Sequence, residues 1–130
     1  MIGMLPYDAD PLCYVNGNKS LDELMQEYRG EKYRLTEIRE EMKGYRFMVA
    51  IHRSNLKSYM RMLPGLIAEV EGFRCSEEAK QARIEAYERK AIQLKEKLQY
   101  ALANEGCVAA NEEACLIRIQ TLEEMIKNKN

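Results

Sequence analysis

Lys43, Arg46, Arg53, Lys57 and Arg61 stand in a stretch that holds no acidic residue between Glu41 and Glu69. Concentrated positive charge attracts phosphates and carboxylates, and aromatic rings beside it offer faces for stacking. Tyr45, Phe47 and Tyr59 lie close by, and Ser54, Asn55 and Ser58 add hydrogen-bonding groups. At helical spacing the cations fall on one side, next to an apolar seam, and form a stripe rather than a ring. Two readings stay open. The stripe is a surface for an anionic ligand or acidic partner, or its members pair with acids such as Glu85, Glu88 and Glu96 or are solvated. His52, the single histidine, sits in the same segment. It is either a part-buried imidazole bonded to a neighbouring carbonyl or carboxylate, or a ligand contact and pH-sensitive point. Lys43, Tyr45, Arg46, His52, Arg53, Lys57, Tyr59 and Arg61 are thus the candidate binding residues.

Other chemistry finds little support. There is no nucleotide-binding glycine loop, nucleophile elbow, zinc-helix motif or calcium loop. A di-metal carboxylate bundle needs Glu-x-x-His motifs, which one histidine cannot supply. Cys13, Cys75, Cys107 and Cys115 form no C-x-x-C, so they read as reduced thiols used as small apolar side chains. No catalytic residue, metal or cofactor is expected, and the chain is not expected to be an enzyme. Twenty basic against twenty-one acidic side chains leave a net charge of −1. That balance excludes a polybasic nucleic-acid coat and a strongly acidic duplex mimic. The first residues lack the pattern of a secretory signal, and the longest apolar run, residues 47–51, is far below the ~20 residues of a membrane span. A cytoplasmic location without membrane contact is expected.

The elements that must position these residues are helical. Residues 1–19 hold two of the three prolines and the turn dipeptide Asn16-Gly17, and read as an irregular arm docked on a groove of its own bundle or of a neighbouring subunit. Ser20-Leu21-Asp22-Glu23 fits a capping box. From there Leu21, Tyr28, Leu35, Met42, Val49, Leu56 and Leu63 alternate with Leu24, Glu31, Ile38, Tyr45, His52 and Tyr59 in steps of three and four. Such a rhythm keeps one stripe of a helix facing a partner helix. Only Glu31 and His52 break it, and they read as counterparts if two copies pack antiparallel across Met42. A strand over 45–51 alternates poorly, because Met48 and Ala50 are also apolar. Gly30 and Gly44 are candidate breaks, and Pro64-Gly65 and Gly106 are read as helix ends.

The expected fold is all-α: an elongated helical bundle or antiparallel coiled-coil hairpin with one long N-terminal helix. Residues 20–130 form a single helical domain with helices at about 20–63, 66–71, 77–105 and 108–127. Surplus apolar area at Phe47, Met48, Ile51, Met60 and Met62 is assigned to self-association in a homo-oligomer. The preferred function is a non-catalytic helical adaptor, inhibitor or regulator that meets a protein partner through the basic-aromatic face. The alternative is a small-ligand binder that sequesters an anionic nucleotide at a subunit interface. A nucleic-acid-binding regulator is the weaker third reading, because five cations are few for tight binding to a duplex.

Overall fold

A computed structural model describes residues 19–129. The arm at 1–19 and its docking, apart from Lys19, lie outside the described residues, as does Cys13. Two helices, α1 (Leu21–Glu71) and α2 (Glu77–Lys129), pack against each other, and there is no strand among the described residues. No helix among them is long and apolar enough to cross a membrane.

Local chemistry sets the helix ends. The Glu23 amide donates to Ser20 Oγ at 3.2 Å, and the Ser20 amide donates to Glu23 Oε1 at 3.0 Å. This is the reciprocal cap its sequence predicts. The backbone N–H of Ser20, and then its hydroxyl, hold the Glu23 carboxyl below the usual glutamate range. At the other end of α1, the amides of Gly72 and Phe73 donate to the Glu69 and Val70 carbonyls. The last turn of α1 contains no basic residue, and Lys80 of α2 supplies one by donating to the Glu71 carbonyl at 3.1 Å. Ser76 caps α2, accepting from the Ala79 amide at 3.1 Å.

Two expected interruptions are absent. α1 runs through Pro64-Gly65, so the pieces expected at 20–63 and 66–71 are one helix. α2 runs through Gly106, joining the pieces expected at 77–105 and 108–127. Proline in a helix interior costs about 3 kcal/mol and glycine about 1 kcal/mol, but packing outweighs both. Beyond Pro64, Leu66 and Ile67 are half-buried and Val70 is fully buried. Around Gly106 the three-four rhythm continues through Ala101, Glu105, Val108, Glu112 and Cys115, all buried or half-buried. Gly30 and Gly44 lie inside α1 without ending it.

The chain divides into two compact units, each holding a stretch of both helices. The first takes residues up to Lys43 together with those from Gly106 onward. Its core joins Leu24, Leu35, Ile38 and Met42 of α1 to Val108, Cys115, Ile119 and Leu122 of α2. The second, Gly44–Glu105, packs Val49, Tyr59 and Val70 of α1 with Ala91 and Ala101 of α2. Within each unit every seam residue read from the sequence of α1 is buried or half-buried, apart from Leu21 at the helix start.

Candidate functional site

Each unit has one polar feature that its seam pattern does not account for. In the first unit it is Glu31, a carboxylate on the seam. Arg118 of α2 donates from Nε to Glu31 Oε1 at 2.7 Å, with both side chains largely buried. Cys115 Sγ donates to the Glu31 carbonyl and lies equally close, 3.4 Å, to its carboxylate. Burial first, and then the Glu31 charge, push the Cys115 thiol above its ordinary value. Glu31 therefore has a partner in Arg118 of the same chain. The reason lies in α2, where Arg118 borders the seam residue Ile119 and can turn into the gap.

Further ion pairs surround this core: Lys19 with Glu27, Arg39 with Glu112 at 3.0 Å, and Lys43 with Glu40 at 3.0 Å. A shallow cleft is lined by Arg34, Glu37, Ile38, Glu41 and Asn111. Among the described residues no group of three or more His, Cys, Asp or Glu is placed to hold a metal ion.

The second unit is charged differently. It carries eleven lysines and arginines against eight acids, yet one ion pair, Lys80–Glu77 at 3.6 Å, is found there among the described residues. Arg46, Arg53, Lys57 and Arg61 are exposed on α1. Among the described residues they form neither ion pair nor hydrogen bond, and the expected partners Glu85, Glu88 and Glu96 do not meet them.

The remaining candidates separate from this group. Lys43 belongs to the first unit and pairs with Glu40. Tyr45 and His52 are half-buried on the seam, and His52 makes no hydrogen bond among the described residues. Tyr59 is buried, its hydroxyl donating to the Tyr87 carbonyl at 3.0 Å while Lys90 lies 5.2 Å from its ring. Its hydroxyl is held above its ordinary value by burial. Seam position takes these rings out of the exposed face, so the aromatic face left beside the cations is Phe47, 65% exposed.

Sequence reading missed a second cationic row. Arg83, Lys90 and Lys97 each precede a buried or half-buried residue of α2, at Ile84, Ala91 and Leu98, and none forms an ion pair among the described residues. Arg83 lies over the Phe73 ring at 5.2 Å. Their seven-residue spacing was the available signal, hidden because acids such as Glu85 and Glu88 are interspersed. The chain matches no family model, no curated protein and no solved structure.

Proposed function

We propose that this protein is a non-catalytic helical adaptor, inhibitor or regulator, which binds an acidic macromolecular partner through α1 of its second unit. One observation carries the reading: Arg46, Arg53, Lys57 and Arg61 are exposed and without ion pairs among the described residues. Arginine and lysine left without acids in the folded chain are available to carboxylates or phosphates of another molecule. The stretch also lacks any acid from residue 42 to residue 68 that would repel such a partner. The proposed setting is the cytoplasm, with no membrane role.

The test compares the chain with Arg46→Ala/Arg53→Ala/Lys57→Ala against polyglutamate and a panel of nucleotides, read by thermal shift. Polyglutamate is expected to raise the melting temperature of the parent chain by several degrees and to leave the variant unmoved. Equal shifts for both chains defeat the proposal. A shift with one nucleotide and none with polyglutamate favours the anion-sequestering alternative. A second reading, self-association, rests on the exposure of Phe47, Met48, Ile51, Met60 and Met62, between 36% and 65%. Sedimentation of the chain alone decides it: a mass that rises with concentration is expected for a homo-oligomer.

A further inference from the structure

The exposed side of α1 in the second unit is divided lengthwise. At 100° per residue, Arg46, Arg53, Lys57 and Arg61 share an arc of about 80°. The adjoining arc of about 100° holds Phe47, Ile51, Met62 and Met48, with the exposed polar residues Ser58 and Asn55 among them. Seam residues and the exposed Met60 occupy the rest of the circumference. A cationic strip and a mainly apolar strip, crossed by Ser58 and Asn55, thus run side by side along some four turns of one helix. Resting on the acidic-partner reading above, we infer that the occupant of this surface is an acidic amphipathic helix of a protein partner. Its carboxylates meet the cationic strip, and its apolar side chains cover the strip beside it.

Three features favour that occupant. Charge complementarity requires an anion, and the cations recur at steps of seven, four and four residues. A helix laid alongside presents side chains at the same steps. The neighbouring strip requires apolar cover, and methionine adapts to partners of differing shape. A single-stranded nucleic acid satisfies the first requirement and fails the second. Its bases stack on rings, and along the mainly apolar strip Phe47 alone offers one.

The deciding experiment uses the full chain and three labelled probes in fluorescence anisotropy. They are an acidic peptide with leucines at helical spacing, the same peptide with serine for leucine, and an oligothymidylate. The leucine peptide is expected to bind at least tenfold tighter than either of the others. Arg53→Glu/Lys57→Glu and Ile51→Ser/Met62→Ser are each expected to weaken it at least tenfold. These positions are exposed, and unchanged circular-dichroism melts keep the comparison clear of folding defects. Equal or tighter binding of the serine peptide or oligothymidylate, lost in the charge-reversed chain, overturns this inference and leaves the anionic-partner reading standing. Failure of all three probes to bind overturns both. Concentration-dependent self-association abolished by Ile51→Ser/Met62→Ser assigns the apolar strip to a second copy, and overturns the inference as well.

Discussion

Glu31 is the residue at which the seam's apolar rule gives way, and its environment explains why the exception is tolerated. A carboxylate withdrawn from water loses several kcal/mol of hydration, and the Arg118 guanidinium at 2.7 Å offsets that loss. Removing one member strands the other in a buried site, whereas replacing both with apolar residues strands neither. Glu31→Leu is therefore expected to destabilise the chain by about 3–5 kcal/mol. Glu31→Leu/Arg118→Leu is expected to recover most of that loss. Urea unfolding of the single and double variants measures both values, and an additive double variant contradicts the account. Sequence alone marked Glu31 as an exception but could not name its partner. Arg118 stands 87 residues away, and nothing local to either residue signals the other.

At the scale of the element, the same rhythm that was legible in sequence accounts for what was not. Steps of three and four identified the buried stripe of α1, because periodicity survives wherever the partner helix runs alongside. Pro64, Gly65 and Gly106 were misread as stops because local propensity is a weak prior against continuous packing. A Cβ built at Gly44 or Gly106 meets nothing within 4 Å. Gly44→Ala and Gly106→Ala are each expected to stabilise the chain by about 0.5–1 kcal/mol, which thermal unfolding checks. Breaks at these positions require the opposite sign. The cap at Ser20 adds a pH dependence. Glu23 ionises more readily in the folded chain than in the unfolded one, so its contribution is complete above the ordinary glutamate pKa. That contribution is lost as pH falls through the lowered folded value. The stability gap between the parent chain and Glu23→Ala is accordingly expected at pH 7 and should close with acidification, as followed by urea titration.

For the whole molecule, the all-helical class was legible because apolar residues recur at helical spacing among charges of both signs. Of the candidate site, the exposed cations Arg46, Arg53, Lys57 and Arg61 were legible because an acid-free stretch is visible in one dimension. Tyr45, His52 and Tyr59 were grouped with them by proximity, although seam register already placed them inward. Lys43 was separated by its pairing with Glu40, three residues earlier. The division into units makes a further prediction. Residues 44–105 contain both of their own helical stretches, whereas residues 21–43 pack on side chains from Val108 onward. A chain ended after Glu105 is expected to keep the helicity of the second unit and lose that of residues 21–43. Far-UV circular dichroism and limited proteolysis report the two outcomes separately.

The sequence separation of the paired residues has its own consequence. Tyr59 reaches Tyr87 across 28 positions, but Glu31 reaches Cys115 across 84. On the ribosome, residues 21–43 must wait until residues 108–122 have been translated before their greasy stripe is covered. Until then Leu24, Leu35, Ile38 and Met42 lack the cover that Val108, Cys115, Ile119 and Leu122 provide in the folded unit.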